Sequence, residues 1–147
     1  MIASRRFPIR IAGGILAGAL VLATALHASM AAPSDLDLSR TRVTDGGAYR
    51  MTFTPEGDSI RVGKLHSWRL HLETIEGTAV DSATIAVKGG MPQHGHGLPT
   101  KPRVTRSLGG GDYLVEGMKF NMRGWWVVTF RLQAAGAADS VTFNLKL

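Results

Sequence analysis

Beyond residue 33 the chain alternates with a period of two, and that property constrains its fold more than any other. In AYRMTFT, Tyr49, Met51 and Phe53 share one face, with Arg50 and Thr52 on the other. HSWRLHLETI sets Trp68, Leu70 and Leu72 against Arg69, His71 and Glu73. WWVVTFRL sets Trp126, Val128, Phe130 and Leu132 against Trp125, Val127, Thr129 and Arg131. VTFNLKL sets Val141, Phe143, Leu145 and Leu147 against Thr142, Asn144 and Lys146. An amphipathic helix repeats its apolar residues every three or four positions, whereas strict alternation belongs to half-buried antiparallel strands. No stretch beyond residue 33 carries helical spacing of useful length.

Weaker strand signals lie at residues 82–87 (SATIAV), 102–108 (PRVTRSL) and 112–118 (DYLVEGM). PEGD, EGT, GGGD and AAGAAD separate the strands with turn chemistry. About seven short strands spaced this way predict an all-β fold, an immunoglobulin-like antiparallel β-sandwich. Tyr49, Phe53, Trp68, Phe120, Trp126, Phe130 and Phe143 are its expected core aromatics. The domain spans residues 46–147, and residues 32–45 form a linker or an edge strand.

Residues 1–31 follow a different pattern. Arg5, Arg6 and Arg10 come with no acid, and residues 11–26 are apolar and uncharged. Ser29 and Ala31 have the spacing a signal peptidase cuts after, so the segment reads as a signal peptide removed after Ala31 or Ala32. The competing reading is an uncleaved N-terminal anchor, although the apolar run is shorter than the ~20 residues a spanning helix needs. SRRFPIR also resembles a twin-arginine export signal, with Pro8 where that signal prefers a bulky apolar residue. Either route predicts a periplasmic or exported protein, held at the inner membrane if the segment is retained.

Export makes the lack of cysteine informative. The chain has no Cys, so its stability comes from packing rather than disulfides. Any metal site must use imidazole, thioether or carboxylate. The net charge is +6, and loss of the three leader arginines leaves 14 basic against 11 acidic residues, about +3. The basic residues alternate with acids along the chain. This pattern is a solvated surface and excludes a nucleic-acid partner.

One segment departs from the alternation. Between Lys88 and Lys101 runs KGGMPQHGHGLPTK, a connection long enough to suggest function. Prolines restrict φ along it, and its glycines permit positive φ and close backbone approach. In an extended segment His94 and His96 point to the same side, with Gly95 between them removing a steric obstacle. Met91 lies just upstream. Met118 and Met122 lie in EGMKFNMRGWW, a connection that an antiparallel sandwich can bring to the same end. His and Met without Cys suit a soft ion, and copper as Cu(I) is the leading candidate. Zinc fits less well, because thioether is a poor ligand for it and the loop has no acid.

Two other accounts of the same residues stand beside this one. Loop histidines can hydrogen-bond carbonyls that a turn leaves unpaired, with Met91 covering the end of the sandwich and Met118 and Met122 in the core. Alternatively the loop contacts a partner or small ligand. His66 and His71 read as structural, and Tyr113 as a core or corner residue whose hydroxyl bonds backbone. Trp125, facing outward beside Met122, would mark a contact surface. No nucleophile–base–acid pattern or phosphate loop is present, so the chain is read as a non-enzyme with no evident small-molecule substrate.

The run from MPQHGHG through GGGDYLVEGMKFNMRGWWVVTFRL resembles the YtkA-like and FixH-like family of small exported bacterial β-sandwich domains. The resemblance covers roughly residues 45–147. It rests most on Met91-Pro92-x-His94-x-His96-Gly97, Gly111-Asp112-Tyr113 and Phe120-x-Met122-x-Gly124-x-Trp126. It implies an immunoglobulin-like sandwich similar in architecture to CopC-like periplasmic copper carriers. FixH-type members are tied to assembly of cbb-type cytochrome oxidases alongside a copper-transporting ATPase. The resemblance therefore implies copper handling, with a membrane protein of a copper or respiratory system as partner. A metal-free interaction module that docks such a partner is the alternative.

Overall fold

The computed structural model describes residues 32–57 and 59–147. The export segment, residues 1–31, lies outside the described residues. Among the described residues nine strands form: β1 (Thr41–Val43), β2 (Tyr49–Pro55), β3 (Leu65–Thr74), β4 (Thr84–Met91), β5 (His96–Gly97), β6 (Arg103–Gly109), β7 (Asp112–Lys119), β8 (Trp125–Ala134) and β9 (Ala137–Lys146). There is no helix among the described residues. The strands make two antiparallel sheets, ordered β1-β2-β3-β7-β6 and β5-β4-β8-β9. Without β1 and β5 this is the immunoglobulin order, four strands facing three. The two extra strands are three and two residues long. Segments that short show no periodicity, which is why the sequence suggests about seven strands.

The alternating residues fall on the predicted faces, and the seven core aromatics are all buried. Phe53 joins the layers: its ring stacks on Trp68 at 4.6 Å and meets Phe143 edge-on at 5.0 Å. Phe120 sits 6.0 Å from Trp68 and 5.2 Å from Trp126, continuing the aromatic contacts toward one end of the sandwich. Trp68 is fully enclosed, and its indole N–H has no acceptor among the described residues. Such an orphan donor costs roughly 1–3 kcal/mol, which stacking and burial must offset.

Two irregularities decide which side chains reach the core. β3 and β7 pair in register as Leu65↔Lys119 and His66↔Met118, then shift to Trp68↔Val115. One extra residue on β7 is absorbed there, and Gly117 takes φ 85°. The bulge reverses the parity of β7. Tyr113 and Val115 point inward before it, and Met118 and Phe120 point inward after it.

The second irregularity corrects the sequence reading. The stretch from Lys88 to Lys101 is not one long loop. β4 continues through Gly89 and Gly90 to Met91 and folds back as β5, with Met91 opposite His96 and Gly90 opposite Gly97. Glycines carry no side chain to display alternation, so this extension of β4 is invisible in the sequence.

Candidate functional site

The β4–β5 hairpin turns through residues 92–95. The Met91 carbonyl closes the turn, accepting from the His94 N–H at 3.1 Å and the Gly95 N–H at 2.9 Å. Gly95 has φ 66°, in the left-handed region, and a Cβ there would meet nothing within 4 Å. Its contribution is therefore backbone conformation and not the removal of a steric obstacle.

The turn brings the two imidazoles together, as expected, but by a route other than extended-strand parity. His94 and His96 lie with ring centroids 5.7 Å apart and planes 17° from parallel. Both residues are exposed. Neither ring makes a hydrogen bond to a described residue, so the expected role of bonding turn carbonyls is unfilled. The turn closes through main-chain N–H groups instead. The His96 ring also meets Trp126 at 6.1 Å, edge to face.

Trp126 links the hairpin to the connection between β7 and β8. Its indole N–H donates to the Met122 carbonyl at 3.1 Å. Gly124, on the same connection, lies under Met91: a Cβ at Gly124 would fall 2.7 Å from the Met91 Cε. The two methionine-bearing segments therefore do meet at one end of the sandwich. The methionines differ in access. Met91 and Met118 are enclosed in the core at 1% and 0% exposure, whereas Met122 is 37% exposed. The donors that reach the surface here are His94, His96 and Met122. No cluster of three His, Cys, Asp or Glu side chains suited to a metal occurs among the described residues.

The remaining candidates are engaged in the fold. His66 Nε2 lies 2.9 Å from the Arg61 carbonyl. His71 Nδ1 lies 2.7 Å from an Asp112 carboxylate oxygen. Tyr113 holds the opposite end: its hydroxyl donates to the Val80 carbonyl at 2.6 Å and accepts from the Ala83 N–H at 2.9 Å. Trp125 is half-buried and donates to Asn144 Oδ1 at 3.0 Å. On the outer face of the five-stranded sheet, the Arg50 guanidinium bonds Glu73 at 2.8 Å. That bond holds the Glu73 carboxyl below its ordinary range, with burial opposing and the charges of Arg50 and His71 reinforcing it.

The fold and this end define a small immunoglobulin-type sandwich that presents a histidine hairpin. The sequence pattern of the YtkA-like family matches residues 45–131, and the chain belongs to that family. No curated protein matches its sequence. Among solved structures it is similar to a DUF4426 family protein from Pseudomonas aeruginosa PAO1. That likeness has a TM-score of 0.53 at 16% identity and covers 74% of this chain and 94% of that one. A looser likeness, to the ZirS C-terminal domain, has a TM-score of 0.42 at 12% identity and covers 100% of this chain and 87% of that one.

Proposed function

We propose that this is an exported, non-catalytic copper-handling domain that binds Cu(I) at the His94–His96 hairpin and passes it to a membrane partner. The observation that carries the proposal is the pair of adjacent, exposed imidazoles whose ring nitrogens bond no described residue. A fold that bonds its other two described histidine side chains leaves these two available. Imidazole and thioether suit a soft monovalent ion, and Met122 supplies an accessible thioether at the same end. Exposed donors suit transfer, since a receiving protein can reach the ion directly.

The test is a Cu(I) titration of the protein under reducing conditions. Uptake of about one equivalent is expected, weakening in acid because metal must displace protons from imidazole. The His94→Ala/His96→Ala double variant should lose that uptake. Full uptake by the double variant would remove the hairpin from copper chemistry.

The enclosure of Met91 and Met118 favours one second reading, a metal-free docking module. In that case the exposed Leu65 and Met122, at the same end of the sandwich, form the contact. A wild-type chain that takes up no copper, while its membrane partner still captures it, would favour this reading.

A further inference from the structure

The two sheets of the sandwich differ in the acids that accompany their cations: the five-stranded sheet has Glu73, Asp112 and Glu116 in its strands, although its Arg103, Arg106 and Lys119 form no ion pair among the described residues. On the five-stranded sheet, Arg50 pairs with Glu73, and Arg69 lies 3.6 Å from Asp112. The four-stranded sheet has Lys88 on β4, Arg131 on β8 and Lys146 on β9, and Asp139 is the only acid in its strands. That acid is already engaged. Its carboxylate accepts from the Gly46 N–H at 2.8 Å and the Ser140 N–H at 2.7 Å. Burial alone would raise the Asp139 pKa, but bonds from Thr44, Gly46, Ser140 and Ala48 outweigh it and leave the carboxyl below its ordinary range. Lys88 and Arg131 form no ion pair among the described residues.

Register brings those two cations together. Lys88 pairs with Thr129, and Ala86 with Arg131, so Lys88 and Arg131 are diagonal neighbours on the outer face. They rim a shallow trough of about 440 Å³ that runs along β4 and β8. Val127 and Thr129 line its middle, and His96 and Pro92 form the far rim. Its floor is low because Gly90 and Gly97 pair across the β4–β5 step without side chains. A Cβ at Gly90 would press to 2.9 Å from the His96 carbonyl oxygen, so close strand approach keeps this floor bare. The volume falls in the range of small-molecule sites, ~300–1,000 Å³.

We infer that this trough binds a small organic molecule with an oxyanion head and a flat apolar body. The head, carboxylate or phosphate, lies between Lys88 and Arg131, where the guanidinium can grip it with two parallel hydrogen bonds. The Thr129 hydroxyl is shared with Thr142 at 2.9 Å and can turn to the same head. The body lies along Val127 and the exposed glycine peptides toward His96. Charge complementarity selects the head and the bare floor selects a flat body. The site does not depend on copper, so it is tested with metal removed by chelator.

The experiment follows backbone amide shifts of the isotope-labelled protein as phenyl phosphate, benzoate, inorganic phosphate or benzyl alcohol is added. Phenyl phosphate or benzoate should give saturable shifts centred on Gly90, Gly97, Val127 and Thr129, and the tighter of the two identifies the head. Inorganic phosphate and benzyl alcohol, each lacking one half of the ligand, should bind at least about tenfold more weakly. The Lys88→Gln/Arg131→Gln variant, with the rest of its spectrum unchanged, should also lose at least about tenfold in affinity, roughly 1.4 kcal/mol. Absence of saturation with both aromatic anions would overturn the inference. So would wild-type affinity in the double variant, or benzyl alcohol or inorganic phosphate binding as well as the aromatic anions.

Discussion

At the Tyr113 end of the sandwich, polar groups are taken up by the loops they hold. The Tyr113 hydroxyl spans Val80 and Ala83, the Gly111 N–H donates to Asp81, and the Gly111 carbonyl accepts from Leu72. At the His96 end, the hairpin closes through main-chain bonds to the Met91 carbonyl, and its two imidazoles are left over. Both ends are loops on the same sheets, and both rest on enclosed side chains. The difference lies in whether these polar side chains are needed to satisfy backbone, as the Tyr113 hydroxyl is and the two imidazoles are not. Where they are, substitution costs stability; where they are not, the side chains are available for binding.

The largest effects are expected where enclosed side chains are cut back, both beneath the His96 end and in the core between the ends. Met91→Ala should lower unfolding free energy by about 2–5 kcal/mol, as for other enclosed methionines. Chemical denaturation measures it, and a negligible loss would show that Met91 is not the packed support of the hairpin. Trp68→Ala, in the core between the ends, should cost about 3–5 kcal/mol. Trp68→Phe should cost clearly less, because it keeps much of the stacking on Phe53 and deletes the orphan N–H.

Tyr113→Phe sharpens the contrast directly. It leaves the Val80 carbonyl and the Ala83 N–H without their partner and should cost about 1–3 kcal/mol. The His94→Ala/His96→Ala variant should stay within about 0.5 kcal/mol of the parent, as expected where only exposed ring contacts and no hydrogen bond to a described residue are lost, while Cu(I) uptake disappears. A large loss of stability in that variant would make the two ends alike. Met122→Ala belongs with the histidines: copper affinity should fall and melting temperature should barely change.

The smallest effect expected is on acid stability. Glu73 has its carboxyl pKa lowered from 4.5, chiefly by the hydrogen bond from Arg50. A depressed carboxyl pKa lends stability that is present above the unfolded value and lost as pH falls through the lower folded value. Melting temperature should therefore decline below about pH 4.5, the unperturbed value. Arg50→Gln should flatten that decline slightly, because the pair is only partly buried and solvent screens it. An unchanged slope would show that the pair adds nothing.

Much of the fold was legible because side-chain parity is a property of the strand itself. Tyr49, Met51 and Phe53 declare one face, and Trp126, Val128 and Phe130 declare another, whatever strands lie beside them. Parity failed at two places, both for a reason connected with glycine. Gly89 and Gly90 hid the continuation of β4, so a hairpin read as a loop. Gly117 absorbed a bulge that turned Met118 into the core, although Tyr113 and Val115 had set the opposite parity.

The histidine pair was visible as His94-Gly95-His96, and its presence at the surface followed from its setting among glycine and proline. Its lack of hydrogen bonds to the described residues was not, because that depends on the Met91 carbonyl being satisfied by main-chain N–H groups. The trough left no local signal either. Lys88 and Arg131 are 43 residues apart in sequence and look like ordinary surface charges until strand pairing makes them neighbours. The sequence by itself determined the sandwich and the inward face of its long strands, because burial acts on each strand through its own alternation. The tertiary structure alone decided which methionines reach solvent, which histidines bond other described residues and where Lys88 meets Arg131. Those properties depend on register between strands distant in the chain, and a shift of one residue in that register moves a side chain from one face to the other.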